Sequence, residues 1–498
     1  MTARTLMIQG AASSVGKSLL ITGLCRLYAR RGLRVAPFKA QNMSNNAGVT
    51  PEGGEIGRAQ VSQAEACGVP PHVDMNPVLL KPEGDSRSQV VVLGRKLDTL
   101  PAREYYRRKP ELWEVVTAAL ARLRAAADLV IIEGAGSPAE LNLRKGDIVN
   151  MAVALHAQAP VLLVGDIDKG GIFAQLLGTL WLLEPEERAL VRGLLVNKFR
   201  GDPALFTDGV RILEARGGVP VLGVVPWLRD HGVAEEDGAG LDERIRADAQ
   251  GESGPAIDIA VIRFTRIANF DDFDPLATEP GVRVRFVSAR AALGRPQAVI
   301  LPGTKHTLAD LAWLRESGLA GAIADLAAAG TPVIGICGGY QMLGRVIRDP
   351  DGVEGGGEAA GLGLLPVDVV FRGAKVTQQV AARVCGGLPW AAAAAGLTGY
   401  EIHAGEAQAA APILELRRQN GEVAFDGASS ADGRVWGAHL HGLFHNDDFR
   451  RAWLASLGWD AAGSQMQYRL RKAASYDRLA DALASALDLG RLDAIIGL

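Results

Sequence analysis

A cysteine near the middle of the chain has the surroundings of a catalytic nucleophile. An apolar run at residues 331–336 predicts a strand, Cys337 follows it directly, and Gly338 and Gly339 open a helical pattern. Small residues permit the awkward backbone angles of such a sharp turn, and the dipole of a helix N-terminus favours thiolate over thiol. The alternative is an inert cysteine in the core, but the glycine pair and Gln341 favour a nucleophile.

The stretch at residues 335–341, Gly-Ile-Cys-Gly-Gly-Tyr-Gln, resembles the nucleophile elbow of class I, triad-type glutamine amidotransferases. The resemblance implies that Cys337 attacks the side chain of glutamine and that Gln341 binds this substrate. Two N–H groups must stabilise the tetrahedral intermediate. Gly338 follows the nucleophile and would supply one of them, and Gly303, in a Leu-Pro-Gly turn, resembles the other donor of the class.

The general base for this cysteine is predicted to be His441. Class I amidotransferases carry His-x-Glu at the aligned position, whereas residues 441–443 read His-Gly-Leu, so the acid that orients the histidine is missing. We therefore expect a Cys–His dyad in which another group, such as a backbone carbonyl, fixes the tautomer. His439, two residues earlier, is predicted to be structural.

A phosphate-binding pattern follows the first predicted strand. Residues 10–18 read Gly-Ala-Ala-Ser-Ser-Val-Gly-Lys-Ser, one residue longer than the usual P-loop. Backbone N–H groups between Gly10 and Gly16 would surround a phosphate chain, as glycine-rich loops before a helix do. Lys17 would reach the phosphates and the Ser18 hydroxyl would bind Mg²⁺. Glycine-rich turns are common, but the flanking strand and helix favour ATP binding, and the loop resembles the dethiobiotin synthetase and MinD-like branch of P-loop proteins.

Polar side chains end three further strands of the same half. Glu133, Asp166 and Asp168 come directly after apolar runs, and Asn197 ends another run. Carboxylates at such strand ends face the ligand crevice of an open α/β sheet, where they bind Mg²⁺ through oxygen. We predict a metal site of Ser18, Glu133 and Asp166, with helix N-capping as the alternative for the acids. In the dethiobiotin synthetase branch the amide equivalent to Asn197 reads a purine edge.

Amide-rich segments with single basic residues occupy the stretch after the P-loop helix. Amide clusters form polar loops by default, but a site for a polycarboxylate also needs such donors. The segment 37–46 follows the second predicted strand, and residues 53–60 and 74–82 each contain one basic residue among small and amide residues. The residues predicted to contact a phosphate or the acceptor substrate are Lys39, Gln41, Asn42, Asn45, Arg58 and Lys81.

A series of motifs along essentially the whole chain resembles the cobyric acid synthase family. In order they are PFKAQNMSNN, GGEIGRAQ, DMNPVLLKP, IEGAGSPAE, GDIVNM, DIDKGG, NKFRGD, ICGGYQMLG, YEIHAGE and HLHGLF. PFKAQNMSNN and DMNPVLLKP separate this family from its relative, the cobyrinic acid a,c-diamide synthases. Two departures occur: the centre of the P-loop differs from the family's usual form, and His306 stands where asparagine is usual.

The resemblance implies a glutamine- and ATP-dependent ligase of cobalamin biosynthesis. It would convert adenosylcobyrinic acid a,c-diamide to adenosylcobyric acid by amidating the b, d, e and g carboxylates. ATP would turn each carboxylate into an acyl phosphate, and ammonia from glutamine would displace the phosphate. The alternatives are the a,c-diamide synthase activity, another polycarboxylate amidoligase, or a MinD-like ATPase switch that binds partner proteins.

Composition restricts the protein class. The 498 residues carry 53 basic and 56 acidic side chains, a net charge of −3, which argues against a nucleic-acid partner. The four cysteines show no metal-ligand spacing and indicate a reducing compartment. No apolar run reaches the length of a membrane span, and no signal peptide is recognised. We expect a cytoplasmic enzyme with small-molecule substrates, and a homo-oligomer is compatible with this sequence.

Two α/β domains are predicted to position these residues. Apolar runs alternate with helical patterns, which is typical of a parallel sheet covered by helices. The runs lie at 5–9, 34–38, 129–133, 161–166, 194–197 and 221–225, and then at 257–263, 282–287, 298–301, 333–336, 363–371 and 434–439. We predict an N-terminal P-loop, dethiobiotin synthetase-like domain (1–240), a linker (241–255), a class I glutamine amidotransferase domain (256–455), and a helical extension (456–498) packed on the second domain.

Overall fold

The chain divides into two compact units, and each unit is built from separate pieces of sequence. The computed structural model describes residues 2–83, 87–228, 231–233, 257–392, 396–460 and 467–498. The first unit consists of Met1–Met43, Ile56–Val233 and Lys472–Leu498, and the second of Ser44–Glu55 and Ala234–Arg471. The predicted linker lies outside the described residues. In the parts of the chain that the structure describes, no helix combines the length and apolar composition needed to cross a membrane.

A six-stranded parallel sheet forms the centre of the first unit. Its strands are β1 (Arg4–Gly10), β2 (Val35–Phe38), β9 (Leu129–Glu133), β10 (Val161–Asp166), β11 (Val191–Phe199) and β12 (Val221–Pro226). The order is β12-β11-β10-β1-β9-β2, with every neighbouring pair parallel. Apart from Arg4, every residue of β1, β9 and β10 is buried. Continuous apolar runs of this kind are typical of strands covered on both faces, and the predicted parallel α/β sheet is confirmed.

Helices and a smaller sheet complete the first unit up to residue 233. The helices are α1 (Lys17–Arg30), α2 (Arg58–Cys67), α3 (Ala102–Ala126), α4 (Met151–Ala157), α5 (Ile172–Leu182), α6 (Pro185–Leu190) and α7 (Thr207–Gly217). The smaller sheet has the order β3-β6-β7-β8, from β3 (Gln41–Met43), β6 (Val78–Pro82), β7 (Arg87–Val92) and β8 (Arg95–Pro101). This sheet was not predicted, although it carries Gln41, Asn42 and Lys81.

The two C-terminal helices pack on the first unit from residue 472 onward, so the prediction that they pack on the second domain is wrong. They span Tyr468–Ala486 and Leu489–Ile496. Leu483 and Leu492 lie in one hydrophobic cluster with Leu24 of α1. An apolar helix face indicates that the helix is covered, but it does not specify which sheet covers it.

The second unit contains its own six-stranded sheet, as the class I amidotransferase prediction requires. Its order is β15-β13-β16-β18-β26-β25, and all pairs are parallel except β25–β26. The strands are β13 (Ile257–Ile262), β15 (Val282–Val287), β16 (Ala298–Leu301), β18 (Val333–Ile336), β25 (Ala428–Ser429) and β26 (Val435–Ala438). The helices of this unit are Asp274–Ala277, Arg290–Leu293, Thr307–Glu316, Leu319–Ala328, Gly338–Leu343 and Asp447–Ser456.

A second, mostly antiparallel sheet belongs to the same unit. Its order is β20-β19-β21-β23-β24, and β22 also pairs with β21. Its strands are β19 (Val346–Asp349), β20 (Gly357–Ala360), β21 (Val367–Val384), β22 (Leu397–Ala409), β23 (Leu414–Arg418) and β24 (Val423–Asp426). The run predicted at 363–371 is therefore the start of β21, outside the parallel sheet. Two short pairs remain: β4 (Ala47–Val49) with β5 (Glu55–Gly57), of which only Glu55 belongs to the second unit, and β14 (Ile267–Ala268) with β17 (Gly303–Thr304).

We expect Leu483→Ala to destabilise the first unit, because the side chain is fully buried in the cluster that includes α1. Truncating a buried leucine costs about 2–5 kcal/mol of unfolding free energy. Hydrogen exchange should become faster in β1 and stay unchanged in β13. Leu470→Ala, in the same helix but 57% exposed, is the matched control. Faster exchange in β13 alone would contradict the packing described above.

Candidate active sites of the two units

Cys337 occupies a strained turn between β18 and the helix Gly338–Leu343. Its backbone has φ 51° and ψ −112°, a conformation that non-glycine residues rarely adopt. The close packing around the turn explains its glycines: a Cβ on Gly339 would stand 1.9 Å from the carbonyl oxygen of Leu301. The thiol is therefore presented at the end of the parallel sheet, at the start of a helix, as the sequence predicts.

His441 lies beside Cys337, whose thiol points to the carbonyl oxygen of Ile402 at 4.0 Å, and the imidazole of His441 is held by an aspartate. His441 Nδ1 lies 2.7 Å from Oδ2 of Asp272. The backbone N–H of Gly442 donates to the other oxygen of this carboxylate, at 2.9 Å. The expected other group that orients His441 is therefore the side chain of Asp272 and not a backbone carbonyl, so a Cys–His–Asp triad replaces the expected dyad.

The charges of the triad favour a thiolate–imidazolium pair. Burial lowers the pKa of His441, but the negative charge and hydrogen bond of Asp272 outweigh this effect and raise the pKa to about 10. Burial likewise raises the pKa of the Cys337 thiol, but the hydrogen bond and charge of His441, with a contribution from His403, bring it below its usual value. Cys337 is only 8% exposed, so solvent does not stabilise its thiolate. The neighbouring imidazolium stabilises the thiolate instead.

A second histidine–aspartate pair lies in the same unit and orients Gln341. His439 Nδ1 lies 2.9 Å from Asp426 Oδ1, and its Nε2 lies 3.2 Å from the amide nitrogen of Gln341. The amide oxygen of Gln341 accepts from the hydroxyl of Thr307 at 3.1 Å. Because the amide nitrogen can only donate, His439 Nε2 accepts, and the single ring proton resides on Nδ1. His439 is therefore neutral and fixes the rotamer of Gln341.

The strand β22 adds a third histidine whose role the sequence did not reveal. His403 Nδ1 donates to the carbonyl oxygen of Gly405 at 2.9 Å, and Nε2 lies 3.4 Å from Glu401. Its ring stacks on that of His439 with the ring centres 4.1 Å apart. Burial lowers the pKa of His403, but the hydrogen bond that His403 donates to Glu401 and the charges of Cys337 and Asp426 outweigh it, so the pKa is raised. The charge of His403 in turn lowers the pKa of His439 and of Cys337.

Both predicted oxyanion glycines lie beside the nucleophile. A Cβ on Gly303 would stand 3.1 Å from Cε1 of His441 and 3.8 Å from the Cβ of Cys337. Gly338 is the first residue of the helix that follows the thiol, and a Cβ there would stand 2.6 Å from the methyl group of Thr304. That the N–H groups of Gly303 and Gly338 donate to a tetrahedral intermediate stays a prediction.

The P-loop residues of the first unit form the predicted loop between β1 and α1. Gly10 ends β1, and Gly16 caps α1 in a left-handed conformation, φ 95°. The Lys17 ammonium donates to the carbonyl oxygens of Ala12 and Gly136, each at 3.2 Å. The side chain of Lys17 therefore folds back over the loop, where a P-loop lysine is expected.

Glu133, at the end of β9, connects the helix after the P-loop to the segment 37–46, which contains Lys39. Its carboxylate accepts from the hydroxyl of Ser18 at 2.7 Å, from the ammonium of Lys39 at 2.8 Å and from the amide of Gln63 at 2.7 Å. Burial raises the pKa of Glu133, but the charge of Lys39 and these hydrogen bonds outweigh it, so the pKa is lowered. Gln63 was missed, although the amides of helix α2 continue the motif that ends at Gln60.

The remaining predicted residues of the first unit lie in two places. Asn197, at the end of β11, donates its amide to the carbonyl oxygen of Val15 in the P-loop, at 2.7 Å. Asp166, at the end of β10, pairs with Lys198 at 2.9 Å. Ser18 and Glu133 are adjacent oxygen ligands of the kind Mg²⁺ prefers. Within the described ranges, however, no cluster of three or more acidic, histidine or cysteine side chains could hold a metal ion.

The predicted acceptor residues fall into both units. Gln41 accepts from the hydroxyl of Tyr105, and the Asn42 amide donates to Gln60 at 2.9 Å. Arg58 and Lys81 are buried, at the start of α2 and in β6. These four belong with Lys39 to the first unit, whereas Asn45 belongs to the second. The Oδ1 atom of Asn45 is buried without a hydrogen-bond partner.

The fold and the sites define a P-loop nucleotide-binding protein joined in one chain to a triad-type glutamine amidotransferase. Residues 6–241 match the family model of the CobQ/CobB/MinD/ParA nucleotide-binding domain, and residues 258–449 match that of the CobB/CobQ-like glutamine amidotransferase domain.

Full-length relatives narrow this class to one family. Cobyric acid synthase of Chloroflexus aurantiacus is 56% identical over 502 residues and covers 100% of both chains. Cobyric acid synthases of Herpetosiphon aurantiacus and Dehalococcoides mccartyi are 54% and 48% identical over 100% and 99% of this chain, and over 99% of their own. The chain belongs to the cobyric acid synthase family.

We expect Asp272→Asn to lower glutamine hydrolysis roughly 10²- to 10⁴-fold, as in other triads that lose their acid. Without the carboxylate charge the pKa of His441 falls, so the imidazolium is lost at lower pH than in the wild type, where it persists to about pH 10. The alkaline limit of the kcat/KM profile should therefore move to lower pH. Asp274→Asn, two residues further along the chain at the start of the helix Asp274–Ala277, is the control, and an unchanged alkaline limit in Asp272→Asn would contradict the triad.

Proposed function

We propose that the chain amidates the b, d, e and g carboxylates of adenosylcobyrinic acid a,c-diamide to give adenosylcobyric acid, with ATP and glutamine consumed at each step. The observation that carries the proposal is the match to cobyric acid synthases at 48–57% identity, over 92–100% of this chain and 93–100% of theirs. The triad and the P-loop supply the two chemistries that such an amidation needs, nitrogen release and carboxylate activation.

Nitrogen release follows from the geometry of the triad. The Cys337 thiolate attacks the amide carbon of glutamine while Gly303 and Gly338 donate to the developing oxyanion. The C–N bond breaks as His441 gives its proton to the leaving nitrogen, which departs as ammonia and leaves a glutamyl thioester. His441 then takes a proton from water, whose oxygen attacks the thioester carbon. The C–S bond breaks, glutamate leaves, and the Cys337 thiolate and the protonated His441 are restored. Asp272 keeps the imidazole oriented through both steps.

Carboxylate activation is assigned to the first unit. An oxygen of the acceptor carboxylate attacks the γ-phosphorus of ATP, the bond to ADP breaks, and an acyl phosphate forms. Lys17 and Lys39 offset the negative charge of the transferring phosphoryl group. Ser18 and Glu133 would hold Mg²⁺, which when bound neutralises phosphate charge. Ammonia then attacks the acyl carbon, phosphate leaves, and the nitrogen loses a proton to give the amide.

The acceptor residues fit a substrate with several carboxylates. Lys39, Arg58 and Lys81 are buried cations of the first unit, and Gln41 and Asn42 add hydrogen-bonding groups. Asn45, in the second unit, stays a predicted substrate contact. Asp166 stays a predicted ligand of Mg²⁺. Asn197 supports nucleotide binding through its bond to the P-loop.

A mass-spectrometric count of amidations tests the acceptor. Purified protein is incubated with ATP, Mg²⁺ and glutamine, and with either adenosylcobyrinic acid a,c-diamide or adenosylcobyrinic acid. We expect four amidations of the a,c-diamide. Two amidations of the unamidated acid with none of the diamide would instead assign the a,c-diamide synthase activity.

Two variants should separate the half-reactions. Cys337→Ser is expected to abolish glutamine-driven amidation and to retain amidation driven by ammonium chloride, because only the nitrogen source is lost. Lys17→Met should abolish amidation from either source while glutamine hydrolysis persists, since the triad is untouched. Cys337→Ala serves as a second control for the thiol. Equal loss of the glutamine- and ammonium-driven reactions in Cys337→Ser would count against separate sites.

A further inference from the structure

A segment from the N-terminal half of the sequence is part of the second unit. Ser44–Glu55 contains β4 and the first residue of β5, which are joined by a turn in which the N–H of Thr50 donates to the carbonyl oxygen of Gly54 at 2.8 Å. The side-chain amide of Gln379 in β21 donates to the carbonyl oxygen of Val49 at 2.7 Å. The family model of the amidotransferase begins only at residue 258, so it does not include this segment.

Two asparagines join the segment to the part of the chain that carries the triad acid. The N–H of Asn269 donates to the side-chain oxygen of Asn46 at 2.6 Å, and the N–H of Ala47 donates to the side-chain oxygen of Asn269 at 2.9 Å. Each asparagine is 2% exposed. Asn269 has φ 53° and ψ 42°, a left-handed conformation that asparagine tolerates better than most residues and that the bond from Asn46 holds in place.

The left-handed residue sets the direction of the turn that presents Asp272. This turn, Phe270–Phe273, begins directly after Asn269, and the N–H of Asp272 donates to the carbonyl oxygen of Asn269 at 3.2 Å. Asp272 in turn holds His441 at 2.7 Å. A continuous series of buried hydrogen bonds therefore runs from Asn46 to the imidazole that activates Cys337.

We propose that Asn46 is a positioning residue for glutamine hydrolysis, which acts through Asn269 and Asp272 on the orientation of His441. The proposal rests on the proposed function only in its use of glutamine as the substrate, because the triad itself can be probed without it. Asn46 touches neither the substrate nor the nucleophile. Its contribution is to hold the backbone of Asn269 so that the carboxylate of Asp272 meets His441 Nδ1.

The test compares Asn46→Leu, which removes the acceptor oxygen, with Asn46→Asp, which keeps an oxygen at the same place. We expect Asn46→Leu to lower kcat for glutamine hydrolysis about 10- to 100-fold, the effect of misplacing a catalytic group by about 1 Å. KM for glutamine should change little, and Asn46→Asp should restore most of the activity. If Asn46→Leu does not fold, Asn46→Ser has the same expected direction. Equal losses in Asn46→Leu and Asn46→Asp would overturn the proposal.

A double-mutant cycle shows whether Asn46 acts through Asp272. In an Asp272→Asn background the further loss caused by Asn46→Leu should be less than about twofold, since coupled residues do not contribute independently. If Asn46→Leu costs the same factor in both backgrounds, Asn46 acts on the fold in general and the proposal is wrong.

Alkylation of Cys337 by iodoacetamide as a function of pH gives a readout independent of glutamine and of any corrinoid. The alkaline end of the thiolate–imidazolium range should move to lower pH in Asn46→Leu and stay in place in Asn46→Asp. The other ionisable groups acting on this pair, His403 and Glu354 at Cys337 and His445 at Asp272, are unchanged in these variants. An unmoved alkylation profile in Asn46→Leu would contradict the inference, whereas absence of amidation in the wild type would contradict only the proposed function.

Discussion

The buried contact between Asp272 and His441 is the interaction on which the second unit's chemistry depends. It raises the pKa of the imidazole, and the resulting cation lowers the pKa of Cys337 despite burial. Removing one member of a buried charged pair typically costs about 3–5 kcal/mol, because the other charge is left uncompensated. The same contact determines which nitrogen of His441 faces the thiol, so the Asp272 carboxylate sets both the charge and the orientation of the imidazole. Hydrogen bonds with Gly442 and Asn269 hold Asp272 in place.

The first unit also contains a buried carboxylate paired with a cation. Glu133 is a buried carboxylate whose charge is compensated by Lys39 and whose two oxygens accept from Ser18 and Gln63. The donors Ser18, Lys39 and Gln63 lie in α1, in the segment 37–46 and in α2. One carboxylate therefore contacts three separate parts of the first unit. Under the proposed function, a phosphate chain or an acceptor carboxylate would compete with Glu133 for Lys39. A substrate would then redistribute the charges of this site, whereas the triad is fixed by hydrogen bonds within the protein.

Local patterns were sufficient to predict the parts of both sites that depend on neighbouring residues. The P-loop, Cys337 and the buried parallel strands each combine a short motif with the element that presents it. Asp272 was missed because it lies 169 residues from its partner, and no local pattern encodes such a contact. The only signal was a pair of aspartates between phenylalanines in FDDF, where buried carboxylates need a partner. The antiparallel sheets and the packing of the C-terminal helices depend on similar long-range pairing, which hydrophobic periodicity does not specify.

The two units are interleaved in the sequence, and this has a consequence for folding during synthesis. The hydrophobic cluster around Leu24 includes Leu483 and Leu492, so the first unit cannot bury that surface until these two leucines have left the ribosome. Domains usually fold in the order in which they are made. Here synthesis of the first unit begins before that of the second and is completed after it. The surface of α1 that Leu483 and Leu492 cover therefore stays exposed while the second unit is translated.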